Sequence, residues 1–97
     1  MPYAIGIIRY RRPLQEVLQH VEAHRAYLRE LNEQGLVLAS GPFQPRNGGA
    51  IIMRVPEGDS AALDRIRDND PFVKTGVAQY ELLEWDPGMG RDSLDKL

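Results

Sequence analysis

No cysteine occurs in the chain. That absence removes disulfides, thiolate nucleophiles, Cys-ligated zinc and iron–sulfur clusters together. An excess of positive charge is missing as well: 12 Lys+Arg stand against 14 Asp+Glu, a formal net charge of −2. Proteins whose main partner is a polyanion draw on concentrated positive charge, so nucleic acid is not an expected partner. No apolar run reaches the length that crosses a bilayer. The N-terminal isoleucine-rich stretch has no basic region before it and meets Arg9 too soon for a signal h-region. The expectation is a cytoplasmic protein with no membrane partner. What is present is an ordinary globular composition, 42% hydrophobic and 27% charged over 97 residues. One domain over residues 1–97, with a modest core, fits that length.

Tyr3 to Tyr10 is rich in β-formers and apolar at both parities until Arg9, the pattern of a strand covered on both faces. Pro13 suits a helix N1 position. From there Leu14, Val17, Leu18, Val21, Leu28 and Leu31 follow helical spacing, and Gly35 is placed to end the helix. Residues 36–39 read as a short strand stopped by Ser40-Gly41-Pro42, and the stretch to Gly49 as a loop. Residues 50–55 form a third strand. Asp59 or Ser60 can cap a second helix through Ala61, Ala62, Leu63 and Ile66. Asp70-Pro71 opens a short turn or helix closed by Gly76, residues 77–85 form the last strand, and 86–97 read as a C-terminal tail.

The order β-α-β-β-α-β predicts a ferredoxin-like α+β fold, a four-stranded antiparallel sheet with two helices on one face. Strands apolar at both parities, such as Ile5 and Ile7 against Ala4 and Ile8, would leave the other face as a large exposed patch. A homodimer packing sheet against sheet is the simplest cover.

One residue does not fit the first helix. With Val17 as zero and about 100° per residue, Val21 falls at about 40°, Leu28 at about 20°, Leu31 at about −40° and His24 at about −20°. His24 therefore sits mid-stripe, where an aliphatic belongs, while His20 at about −60° lies on the border. Two readings of His24 stand side by side. It is a core histidine satisfied by a carbonyl or carboxylate, or it forms the floor of a pocket, where imidazole suits proton transfer near neutral pH.

Asp70-Pro71-Phe72 has a sufficient local explanation, since Asp is a favoured N-cap and Pro a favoured N1. Ser40-Gly41-Pro42 is a turn on its own, but beside a pocket its hydroxyl and amides could orient a polar substrate. Arg9, Arg11 and Arg12 form the one basic cluster, readable as a solvated strand end or as anion recognition by Arg9. RNA-recognition domains share the element order but carry stacking aromatics on the third strand; here it reads Gly-Gly-Ala-Ile-Ile-Met-Arg-Val. His20 and His24 are spaced i, i+4, yet about 40° apart on the wheel with no third ligand, so no metal is expected.

Together these residues resemble the YciI-like, YCII-related family. The likeness spans Tyr3 to about Trp85 and rests on three pieces. These are His24 followed by Tyr27-Leu28 and Leu31, the run from Gly35 through Ser40-Gly41-Pro42, and the run from Asp70-Pro71-Phe72 to Gly76. The resemblance implies a dimeric α+β barrel with a pocket holding a His–Asp pair, His24 and Asp70. The expected substrate contacts are Arg9, Ser40, Gly41, Pro42 and Phe72. Members often carry Arg three residues before the histidine, where this chain has Val21, which leaves Arg9 or Arg25 to stand in. Some relatives resemble dehydrochlorinases of chlorinated hydroxyquinols, which need no cofactor. The implied function is a cofactor-independent lyase or isomerase acting on a small hydroxylated compound. The alternative is a dimeric domain that binds a ligand without turning it over.

Overall fold

The computed structural model describes residues 2–59 and 61–97. Its elements run β1 (Tyr3–Tyr10), α1 (Leu14–Leu18), α2 (Val21–Glu33), β2 (Val37–Pro42), β3 (Gly48–Arg54), α3 (Ala61–Asn69), α4 (Pro71–Lys74), β4 (Ala78–Trp85) and α5 (Arg91–Asp95). The four strands form one antiparallel sheet in the order β2-β3-β1-β4. The ferredoxin-like α+β expectation is met. The expected Ser60 cap lies outside the described residues. No helix among them is long and apolar enough to cross a membrane.

The sheet is two-faced because strand side chains alternate. Ala4 and Ile8 of β1, Ile51 and Met53 of β3, and Ala78 and Tyr80 of β4 share one face through the ladder. They bury against Val17, Val21, Leu28 and Leu31 of the first helical segment and against Ala62, Leu63, Ile66 and Phe72 of the second. Each fully buried aliphatic contributes about 1.5–3 kcal/mol through removal from water. Two helix ends set the entry into the strands. After α2, Gly35 adopts φ +79°, and the Gly35 and Leu36 N–H groups donate to Asn32 and Leu31. After α4, Gly76 adopts φ +74°, with the Gly76 and Val77 N–H groups donating to Val73 and Phe72. These are Schellman closures, which need a residue free of the Cβ penalty at positive φ.

The structure departs from the sequence reading in four places. The first helix is broken at Gln19-His20 into α1 and α2, and Pro13 is the N-cap rather than N1. Leu14 and Leu18, read as part of the buried stripe, are exposed at 40% and 47%. β2 does not stop at Ser40-Gly41-Pro42 but includes them; it is an edge strand, where a proline is tolerated. The segment read as a tail contains α5, which folds back over the outer sheet face. There Tyr3 donates to Asp95 and Arg54 donates to the Leu94 carbonyl at 3.0 Å, while the Arg91 guanidinium lies 5.6 Å from the Tyr3 ring centroid.

A bulge in β2 determines which side chains of that strand reach the helices. Val37 pairs with Met53 but Ala39 pairs with Ile52, so Leu38 is an extra residue. Without it, Ser40 would face away from the helices. With it, Ser40 and Pro42 pair with Ile51 and Gly49 and join the helix-covered face. Glycine lets β3 approach both of its neighbours closely: a Cβ on Gly48 would stand 2.1 Å from the Ile8 carbonyl oxygen of β1, and one on Gly49 2.6 Å from the Gly41 carbonyl oxygen of β2. Gly48→Ala is therefore expected to destabilise the fold by about 1–3 kcal/mol. Gly41→Ala, with nothing within 4 Å, should shift stability by about 0.5 kcal/mol or less. Urea midpoints of the two variants make the comparison, and equal midpoints would contradict the steric account.

Candidate active site

The break before α2 leaves Val21, His24, Leu28 and Leu31 as its buried stripe, so the helix aims the His24 imidazole at the junction of helices and sheet. Across that junction α4 begins. Its N-cap Asp70 is extended, and the Asp70 Oδ1 accepts the Phe72 N–H at 2.8 Å. The same carboxylate receives His24: Nδ1 lies 2.9 Å from Oδ1 and 2.9 Å from Oδ2. Tyr80, projecting inward from β4, donates its hydroxyl to Oδ2. Asp70 is wholly buried and His24 nearly so.

The Phe72 amide can only donate and Tyr80 also donates, so the carboxylate acts as acceptor throughout. Nδ1 of His24 must then carry a hydrogen, and in the neutral ring the lone pair is on Nε2. The imidazole is held a second way, stacked on Phe72 with ring centroids 3.9 Å apart and planes 4° apart. Tyr10 closes on Phe72 edge-on at 6.0 Å. Nε2 takes no partner from the described residues, and the one buried orphan side-chain atom among them is Arg54 Nε. Nε2 is therefore reachable from the adjoining cavity of about 160 Å³.

That cavity lies between the N-terminal half of α2 and one end of the sheet. Ile8, Tyr10, Val21, Leu28 and Phe72 supply its apolar wall. His24, Arg25, Ser40, Arg46 and the segments Gly41-Pro42 and Gly48-Gly49-Ala50 supply the rest. Of the residues expected from sequence, the structure brings together His24, Asp70, Ser40, Gly41, Pro42 and Phe72. Arg9 does not join them. It has the parity of Ile5 and Ile7 and points from the opposite face, where it pairs with Glu81 at 3.2 Å. Arg25, the other stand-in, does line the cavity. Sequence reasoning missed Tyr80, Tyr10 and Arg46. For Tyr80 a signal existed, because Ala78, Tyr80 and Leu82 alternate along the last strand.

Comparison with known proteins bears on the same elements. Residues 1–86 match the YCII-related domain. The chain belongs to the YCII-related domain family. One relative, the uncharacterized protein YjpA of Bacillus subtilis (strain 168), is 30% identical over 67 residues, 69% of this chain and 76% of that protein. Among solved structures, this YCII-related chain resembles 5-chloro-2-hydroxyhydroquinone dehydrochlorinase (TftG) from Burkholderia phenoliruptrix AC1100, in complex with 2,5-dihydroxybenzoquinone. The TM-score is 0.71 at 26% identity, covering 88% of this chain and 95% of that one.

The buried carboxylate of this YCII-related domain also acts on its tyrosines. Tyr27 donates to the Ile66 carbonyl at 2.8 Å. Burial, then the Asp70 and Glu30 charges, push its pKa up to about 12. Burial and Asp70 raise Tyr80 as well. Folded Tyr27 thus holds its proton more tightly than an unfolded tyrosine, which titrates near about 10. The stability this lends is complete below pH about 10 and is lost as pH rises from about 10 to 12. Tyr27→Phe should flatten that alkaline loss, read from urea midpoints between pH 9 and 11.5. An unchanged slope would count against the assignment.

Proposed function

We propose that this chain is a cofactor-independent enzyme that uses His24, oriented by Asp70, as a general acid/base on a small hydroxylated compound. The supporting observation is an imidazole fixed through Nδ1 on a buried carboxylate, with Nε2 open to a cavity. A general base must come within hydrogen-bond reach of the proton it removes, and a positioned imidazole contributes about 10²–10⁴-fold. Nε2 takes the proton of an enolic hydroxyl, and the O–H electron pair becomes the π bond of a C=O. The neighbouring C=C pair shifts by one position. Where the next carbon is saturated and bears a halide, as in the keto tautomer of a chlorinated hydroxyquinol, that pair becomes the double bond to this carbon as the halide leaves, and the net change is loss of HX with the proton on His24. Where it does not, the Nε2 proton is returned to carbon and the double bond has moved.

Size and likeness agree with this reading. A cavity of about 150 Å³ accommodates one benzene ring, and this one measures about 160 Å³. TftG, the structural relative, is a dehydrochlorinase complexed with a single-ring dihydroxy compound. Ser40, Gly41, Pro42 and Phe72 serve here as substrate contacts. We test the reading with 5-chloro-2-hydroxyhydroquinone, following chloride release. The wild-type chain should release chloride, His24→Ala should lose about 10²–10⁴ in kcat while remaining folded, and Asp70→Asn should lose activity through the wrong tautomer. A fully active His24→Ala variant would falsify the proposal.

The homodimer belongs to the same proposal. On the face away from the helices, Ile52, Ile5 and Leu83 lie side by side in register, with Ile7 and Ala50 beside them. Leu83 and Trp85 are 43% and 38% exposed in the single chain. An aligned apolar row of this kind suits a two-fold interface of sheet on sheet. Light scattering should give the mass of two chains, and Leu83→Glu should give one chain with unchanged far-UV circular dichroism. A monomeric wild type would reject the interface.

A further inference from the structure

The cavity beside His24 carries two guanidinium groups, Arg25 and Arg46, and no carboxylate lines it. Several other arginines of the described chain are matched by carboxylates, Arg9 with Glu81, Arg65 with Asp59, Arg67 with Asp64 and Asp68, and Arg91 with Asp86, whereas Arg29, outside this cavity, is not. Arg25 has no ion pair or hydrogen bond among the described residues. Arg46 makes one weak contact, from Nε to the Tyr10 hydroxyl at 3.5 Å, and both of its Nη groups are left without a partner. Arg46 is half-buried, and its loop is tied down at three points. Phe43 N–H donates to the Gly48 carbonyl at 2.9 Å, Asn47 N–H to Pro45 at 2.9 Å, and Tyr10 N–H to Asn47 at 3.3 Å. Arg25 follows His24 on α2, so one rigid helix carries both the imidazole and the guanidinium.

A guanidinium presents a planar fork of donors that matches a delocalised oxyanion, and such charge-assisted bonds are stronger than neutral ones. Arg46 is half-buried and Arg25 exposed beside the cavity, and neither has an internal counter-charge. We infer that the substrate is an anion: a single-ring hydroxylated compound whose carboxylate, or equally delocalised oxyanion, is held by Arg25 and Arg46 while its hydroxyl faces Nε2 of His24. This rests on the cavity being the substrate site proposed for His24. It adds a ligand charge and the two residues that select it.

The test is calorimetric titration of the full chain with 2,5-dihydroxybenzoate and with hydroquinone, the same ring without the carboxylate. The wild type should bind the benzoate at least about tenfold more tightly, the scale of one charged hydrogen bond. That preference should weaken in 0.5 M salt. Arg25→Gln and Arg46→Gln should each reduce the preference, and the double variant should abolish it, whereas His24→Asn should retain it. Equal affinity for the two compounds, no binding of the benzoate, or a preference that survives in the double variant would each overturn the inference. Should the double variant not fold, the two single variants decide. The two proposals fail separately. An arginine-dependent preference without turnover retains the anion site and removes the catalytic reading. His24-dependent chloride release without any preference does the reverse.

Discussion

The molecule is organised around a carboxylate that has no solvent. Asp70 is completely buried, and an unpartnered charge there would cost several kcal/mol. Three donors from three elements meet it: the His24 imidazole from α2, the Phe72 amide from α4 and the Tyr80 hydroxyl from β4. Each bond individually is ordinary for a charged acceptor. Their joint effect is positional, because satisfying the carboxylate requires the long helix, the short helix and an inner face of the sheet to arrive at one point. The site and the layer packing are therefore one structure. His24 cannot turn away without removing one of the three donors of Asp70, and its ring is further confined by the parallel face of Phe72.

The helical wheel finds His24 even though the helix it assumes is interrupted. Val21, His24, Leu28 and Leu31 all belong to α2, so their mutual phase is unaffected by the break at Gln19-His20. Leu14 and Leu18 lie beyond the break, and there the extrapolated stripe fails. For Asp70, the capping and the chemical readings are competitors on sequence grounds. The structure shows why they need not compete: a carboxylate has two oxygens and about four acceptor sites, and a cap occupies one of them. Family order and spacing add what periodicity cannot, the pairing of two residues 46 positions apart.

What sequence leaves illegible is face assignment. β1 is apolar at both parities, so no alternation indicates whether Arg9 or its neighbours point to the helices; the ladder through Ala4 and Ile8 decides it. β2 conceals a different problem. A one-residue bulge reverses the facing of everything beyond it, and nothing in Val37-Leu38-Ala39 marks Leu38 as the extra residue. The C-terminal segment is illegible for a third reason. Its docking relies on Tyr3 and Arg54, which reach it from strands that are distant in sequence, and its own composition shows only a short polar stretch.

The balance of the cavity wall says what kind of discrimination this site can perform. A hydrophobic pocket separates ligands differing by one methylene by only about 1–3 kcal/mol, so Ile8, Val21, Leu28 and Phe72 set an upper size without strongly choosing among small rings. Polar mismatches are penalised far more, because a buried group left without its partner forfeits its hydration and gains nothing. Selectivity here must therefore come from the polar wall. On one side stands an imidazole whose tautomer is fixed, able to accept a hydroxyl hydrogen at Nε2 and at no other ring atom. On the other stand donors alone, the half-buried guanidinium of Arg46 and, at the exposed rim, that of Arg25. A ligand fits both only if it offers a hydrogen at one end and electron pairs at the other.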